Sequence, residues 1–247
     1  MSENIRVVVT GVSGRMGQMI VSGVLSSTKT RLVGALEREG HDWIGQDLGL
    51  VSGLNTLGVE VSDDPASVFK DADAIVDFSA PKASVEFSKL AAERGIVHVI
   101  GTTGFNDQEL ALIENSGKKA KIIRAIPLPP ISLKKGPVPI CPPNPKVKAF
   151  FNNLGTTVEI KNEKSSINFW STSGMMAPFY EMLRVMTDWL VKRGVKRNNA
   201  QKYITSLFLA LSEDAVVNSK ENLKNLVKES QTPKGLNEQG VKELTKA

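Results

Sequence analysis

The chain of 247 residues has one cysteine, Cys141, and two histidines, His41 and His98. A single cysteine excludes an intrachain disulfide and suits a reducing, cytoplasmic setting. Neither histidine has acidic, histidine or cysteine neighbours at ligand spacing, so no metal site is expected. His98 stands inside the apolar run Val97-His98-Val99-Ile100 and reads as a structural residue. No apolar run approaches the length of a membrane span, and no signal peptide is expected. Aromatics are only 6%, and the net charge of +5 is spread in short doublets such as Lys118-Lys119 and Lys134-Lys135. Clustered cations interleaved with aromatics, the footprint of a nucleic-acid surface, are missing. The excess charge is expected to attract anionic small molecules and cofactor phosphates.

What is present is an ordinary globular composition, 41% apolar and 23% charged, with a specific pattern at its start. The apolar strand Ile5-Arg6-Val7-Val8-Val9 runs into Gly11-Val12-Ser13-Gly14-Arg15-Met16-Gly17, which opens a helix. A second apolar strand, 31–36, ends at Glu37-Arg38 about 20 residues past the last glycine. The first glycine permits a tight turn, and small residues let backbone approach a pyrophosphate. The last glycine lets helix and strand pack closely. Helix-start N–H groups and the positive end of the dipole face the phosphates. Glu37 can hold ribose hydroxyls and Arg38 a 2′-phosphate, which provides for both NADH and NADPH.

Up to about residue 125, strands at 5–9, 31–36, 74–77, 97–100 and 122–125 alternate with helical stretches, the signature of a parallel doubly wound sheet. Asn106 with Glu109 predicts a capped helix to about Ser116. Pro81 predicts a helix start and Gly95 its end after Arg94. Two strand ends, Asp77-Phe78-Ser79-Ala80-Pro81 and Gly101-Thr102-Thr103-Gly104-Phe105, lie where such sheets bind ligands and suit a nicotinamide and its ribose. As plain turns, they would use Phe78 and Phe105 as core plugs.

Together these motifs resemble dihydrodipicolinate reductase, also called 4-hydroxy-tetrahydrodipicolinate reductase, over roughly residues 3–122. The resemblance implies that Gly11, Ser13, Gly14, Arg15, Met16 and Gly17 form the pyrophosphate turn. It places Glu37 and Arg38 on the adenosine ribose and its phosphate, and Phe78, Ser79, Gly101, Thr102 and Thr103 beside the nicotinamide. The family continues with a paired-histidine motif and a Pro-Ser-Gly-Thr loop. This chain has no histidine after His98 and reads Arg124-Ala125-Ile126-Pro127-Leu128-Pro129-Pro130 instead. That family's proton donor and carboxylate clamp are thus absent.

From about residue 122 the chain is similar to the pyrroline-5-carboxylate reductase family. The likeness lies in Ile122 to Pro127, Gly136 to Cys141, and Val147 to Gly155 followed by the strand 157–161. It continues in Ser171-Thr172-Ser173-Gly174-Met175-Met176-Ala177-Pro178-Phe179-Tyr180 and in Thr232-Pro233-Lys234-Gly235. Met176 stands as an insertion, and Leu236-Asn237 replaces threonines of the last loop. The chain thus reads as a join of the two families inside one sheet, natural or engineered. Its expected fold class is α/β, a Rossmann doubly wound parallel sheet (1–161) followed by an all-helical substrate and dimerisation domain (162–247).

In that second part Met175, Phe179, Met182, Met186 and Leu190 recur at helical spacing. Gly194 is expected to end their helix, a second to start near Asn199, and Ser219 to cap a third. So short a helical stretch cannot bury all its stripes alone, so a homodimer is expected. The C-terminal run Glu243 to Ala247 is expected to stop within a helix. Both resemblances imply hydride delivery from NADH or NADPH to a cyclic imine or a ring conjugated with one. Thr172, Ser173 and Gly174, expected at a helix start, and Thr232 are the candidate carboxylate donors. No general acid is singled out. Tyr180 has suitable chemistry but reads more readily as a core residue. Three functions follow: reduction of a cyclic imine carboxylate, reduction of 4-hydroxy-tetrahydrodipicolinate in lysine biosynthesis, or an inactive cofactor-binding dimer.

Overall fold

The computed structural model describes residues 4–117 and 121–246; the Lys118-Lys119 doublet lies outside them. Strand β1 (Ile5–Thr10) leads through the glycine turn to α1 (Arg15–Ser26), and β2 (Thr30–Leu36) follows. A short α2 (Leu48–Val51), β3 (Val61–Ser62) and a short α3 (Pro65–Val68) lead to β4 (Ala74–Asp77). Next come α4 (Pro81–Arg94), β5 (Val97–Ile100), α5 (Asp107–Gly117) and β6 (Ile122–Ala125). After a 3-10 turn at Pro129–Leu133 come β7 (Pro137–Cys141), α6 (Pro145–Phe151), β8 (Thr156–Glu159) and α7 (Glu163–Thr172). A second 3-10 turn, Ser173–Met175, leads to α8 (Met176–Val191), α9 (Arg197–Val217), α10 (Leu223–Glu229) and α11 (Leu236–Leu244).

The eight strands form one sheet in the order β3-β2-β1-β4-β5-β6-β7-β8, parallel except where β6 meets β7. Alternation along each strand sends its side chains to two layers. Val7, Val9, Val76, Val99 and Ile123 pack under Ile20, Val21 and Val24 of α1 and Val147 and Phe151 of α6. Val8 and Ile75 pack against Phe69, Phe87 and Ala91, and Ile100 against Val85 and Ile113. Both faces are covered, as a parallel sheet requires. The expected seam falls at β6, which pairs with β5 on one side and β7 on the other. The ladder therefore runs through the join without a linker.

Several local signals act as the sequence predicts. Asn106 and Glu109 exchange backbone-to-side-chain hydrogen bonds of 2.9 Å each, a reciprocal cap for α5. Pro81 opens α4, and Gly95 closes it at φ +69°. Others differ. The cap of α10 is Asn222, whose side-chain Oδ1 accepts from the Lys224 amide at 2.9 Å, not Ser219. Amide side chains outrank the turn residue because Asn222 stands directly before the helix. The chain divides into two compact units, Met1–Ser173 and Gly174–Ala247. Helix α7 packs against β7 within the first unit.

In the second unit α8 packs against α9, with Phe179 edge-on to Phe208 at 6.0 Å. Much of its apolar surface stays open: Met175 is 62% exposed, Trp189 53% and Leu211 55%. Tyr180, expected in the core, is 58% exposed and only leans on Phe179. The side chain that meets α9 is its neighbour Phe179, through Phe208. Among the described residues no helix is long and apolar enough to cross a membrane.

Candidate functional site

The tight turn after β1 is built from glycines for steric reasons visible in the coordinates. Gly11 has φ +67°, and a Cβ there would lie 2.5 Å from the Phe78 carbonyl oxygen. A Cβ on Gly17 would lie 2.0 Å from the Gly11 carbonyl oxygen and 2.9 Å from the Val12 Cα. Those obstacles are backbone and cannot swing away, so helix α1 starts hard against the turn only because both residues are glycine. Gly14 stands at its N-cap with no side-chain cap, and its first turn carries no acidic residue. The amides of that turn are left to meet an anion.

Glu37 closes the other side. Its carboxylate accepts from the Ser13 amide and from the Arg38 amide, each at 3.0 Å. Burial pushes its pKa up, but the amides of Ser13 and Arg38, the Ser13 hydroxyl and the charge of His41 outweigh this and hold it below the ordinary value. Ionised and fixed, it can accept from a pair of ribose hydroxyls. A cavity of about 440 Å³ is lined by Gly11, Ser13, Gly14, Glu37, Arg38, Phe78 and Ser79, with Glu39, Asp63 and Glu86 also on its wall. The glycine turn, the acid and the β4 loop thus come together at the carboxyl ends of β1, β2 and β4. This arrangement fits a dinucleotide: a cradle that a single Cβ would fill, an uncapped helix start and a fixed carboxylate for a ribose.

Not every expected residue faces that cavity. Arg15 lines a separate cleft with Ser132 and Lys134, and Met16 packs on the core. Gly101 is buried, its amide donating to the Asp77 carbonyl at 2.8 Å, and its missing Cβ makes room for the Phe78 ring. Thr102 is also buried, with its hydroxyl turned inward, while Thr103 is exposed. Phe78 is therefore both cavity wall and core contact. Phe105 packs beside Ile100 and lies under the Arg124 guanidinium at 5.1 Å.

Beneath the loops lies a polar network that the sequence reading reduced to one structural histidine. Asp77 is fully buried. Its Oδ1 accepts from the Thr10 hydroxyl at 2.6 Å, the Ser79 amide at 3.0 Å and the Ser79 hydroxyl at 2.6 Å. Its Oδ2 accepts from the Ser84 hydroxyl at 2.6 Å and faces His98 Nε2 at 3.1 Å. Ser84 spends its only proton there, so the Thr102 hydroxyl, 2.9 Å away, donates to it. His98 Nδ1 lies 3.0 Å from the Ser88 hydroxyl. Burial raises the Asp77 pKa, but hydrogen bonding and charge from His98, then Ser79 and Ser84, overcome it and bring it to about 2. One carboxylate ties together the ends of β1, β4 and β5 and the first turn of α4. Asp77 and Ser79 were legible as a strand-end motif; Thr10, Ser84 and Ser88 carried no local signal.

The substrate candidates lie elsewhere. Thr172 is the last residue of α7, not part of a helix start, because Asn162 caps that helix earlier by accepting from the Ser165 amide at 2.9 Å. The hydroxyls of Thr172 and Ser173 donate back to the carbonyls of Phe169 and Trp170. Gly174 follows in the 3-10 turn. Thr232 is exposed, and its carbonyl accepts from the Gly235 amide before α11. Cys141 is buried opposite Arg124 on the neighbouring strand. Burial, reinforced by Glu163, pushes its thiol up to about 11.

Fold and site together define a Rossmann-type sheet followed by a helical dimerisation domain. Residues 5–126 match the family model described as dihydrodipicolinate reductase, N-terminus, and residues 168–247 match pyrroline-5-carboxylate reductase dimerisation. The chain carries these two modules in series. Among curated proteins, 4-hydroxy-tetrahydrodipicolinate reductase of a Ruegeria species is 51% identical over 125 residues, 51% of this chain and 46% of that protein. Its counterpart in Ruegeria pomeroyi is 54% identical over 119 residues, 48% of this chain and 44% of that protein. The chain thus spans about half the length of the curated relatives it matches. Solved structures instead share the fold of the whole chain. Pyrroline carboxylate reductase of Plasmodium falciparum, solved with NADP bound, has TM-score 0.71 and 20% identity, covering 99% of this chain and 90% of that one. Pyrroline-5-carboxylate reductase of Coxiella burnetii has TM-score 0.77 and 17% identity, covering 99% and 91%.

Proposed function

We propose that this chain is an NADH- or NADPH-dependent reductase of a cyclic imine that carries a carboxylate, as in pyrroline-5-carboxylate reduction. The observation that carries the reading is the cavity shared by Gly11, Ser13, Gly14, Glu37, Arg38, Phe78 and Ser79. A reduced nicotinamide held there by these residues would supply the hydride for the C=N carbon, with solvent supplying the proton for the ring nitrogen. The turn of Gly11 to Gly17 holds the pyrophosphate, Glu37 the adenosine ribose, and the Phe78–Ser79 loop one side of the nicotinamide. The backbone of Gly101 to Thr103 shapes the other side, fixed by Asp77 from below. For the substrate carboxylate, Gly174 and Thr232 are the proposed donors; the hydroxyls of Thr172 and Ser173 donate to the carbonyls of Phe169 and Trp170 and serve a carboxylate only by turning away from them.

Both modules come from families named for reduction of such rings, which supports the reaction class. The substrate ranking follows from the second module and from the lack of any histidine after His98. Reduction of 4-hydroxy-tetrahydrodipicolinate is the second reading, favoured by the identity over the first half. An inactive cofactor-binding dimer is the third. Steady-state assays with pyrroline-5-carboxylate and freshly generated dihydrodipicolinate, each with NADH and NADPH, separate all three. Turnover of the second substrate alone reverses the ranking, and dinucleotide binding without turnover supports the third. The open apolar faces of α8 and α9 and the dimerisation match support a homodimer.

A further inference from the structure

We propose that the site discriminates between the two dinucleotides and takes NADH in preference to NADPH, through an acidic wall formed by Glu37, Glu39 and Asp63. The inference rests on the dinucleotide reading above and deepens it. Strand pairing builds the wall. Leu36 lies opposite Ser62, and the Glu37 amide donates to the Ser62 carbonyl at 3.0 Å. The chain therefore carries Asp63 past the end of β3 level with Glu37 and Arg38. Glu39 follows on the same loop, and all four side chains line one cavity. Glu86 adds a fourth carboxylate to it, against the single cation Arg38.

Two ligands differ at this spot by one group. A ribose 2′-hydroxyl brings a donor, which the fixed Glu37 carboxylate accepts. A 2′-phosphate brings about −1.5 to −2 charges near neutral pH and needs cations and donors. The Arg38 amide is already spent on Glu37, and its guanidinium is exposed, where solvent and salt weaken its pull. The Ser13 amide is likewise committed to Glu37. One screened guanidinium shares the cavity with four carboxylates, so the local balance is against the phosphate.

The test is equilibrium binding of NADH and NADPH to the full chain without substrate, followed by dinucleotide fluorescence at pH 8 and low ionic strength. The expected result is NADH binding about tenfold or more tightly, with the gap narrowing as salt is added. The double variant Asp63→Asn/Glu39→Gln, on the cavity wall, is expected to close most of the gap by improving NADPH binding more than NADH binding. Equal or tighter NADPH binding by the parent overturns the proposal. So does a double variant whose ratio is unchanged. If neither dinucleotide binds, the dinucleotide reading itself falls and takes this preference with it.

Discussion

Replacing Asp77 tests whether one carboxylate holds the ligand edge of the sheet together. Asp77→Ala removes the acceptor of Thr10, Ser79, Ser84 and His98 in a single step. Thr10, Ser84 and His98 are fully buried, so their donors cannot turn to bulk water. Each orphaned buried donor costs about 1–3 kcal/mol, and the penalties overlap where the donors can re-pair with one another, so a loss of about 3–5 kcal/mol is expected. Asp77→Asn should be milder, about 1–2 kcal/mol. Its amide oxygen still serves Thr10 and Ser79. His98 can shift its proton to Nδ1, 3.0 Å from the Ser88 hydroxyl, and accept from the new NH2 group; Ser84 can turn to Thr102, 2.9 Å away. Urea unfolding of the three proteins measures this order. A penalty for alanine under about 1 kcal/mol, or equal penalties for alanine and asparagine, refutes the reasoning.

The same residue has a pH signature. Its folded pKa of about 2 lies below the ordinary 3.8, so its contribution is full above about pH 4 and is lost as pH falls towards 2. The difference amounts to roughly 2 kcal/mol. In Asp77→Asn that part of the acid limb should flatten.

Gly17→Ala should force α1 off the turn, since the new Cβ would meet the Gly11 carbonyl at 2.0 Å. A stability loss of about 1–3 kcal/mol and at least tenfold weaker NADH binding are expected, by unfolding and titration. Cys141, buried and with its thiol pushed up to about 11, should resist thiol reagents at pH 8 until urea unfolds the chain. Rapid labelling of the folded protein would contradict its placement. Sedimentation at micromolar concentration should give a dimer, and Leu211→Glu, on the open face of α9, should shift it towards monomer. A monomeric parent would remove the homodimer reading.

What could be read along the chain was what depends on neighbours in sequence. The turn Gly11 to Gly17, the acid at the end of β2, the cap pair Asn106–Glu109 and the stop at Gly95 are each fixed by local backbone geometry. The alternation of strand and helix likewise implied a parallel sheet, and two motif sets exposed the join at β6. The tertiary structure decided whatever depends on residues brought together from distant strands. Only the pairing of β1, β4 and β5 gathers Thr10, Asp77 and His98 into one buried network, and only the β2–β3 register sets Asp63 beside Glu37. The inward turn of Thr102 and the exposure of Tyr180 follow the same rule. A side chain's direction and burial are set by what packs on its element, and no window of sequence contains that.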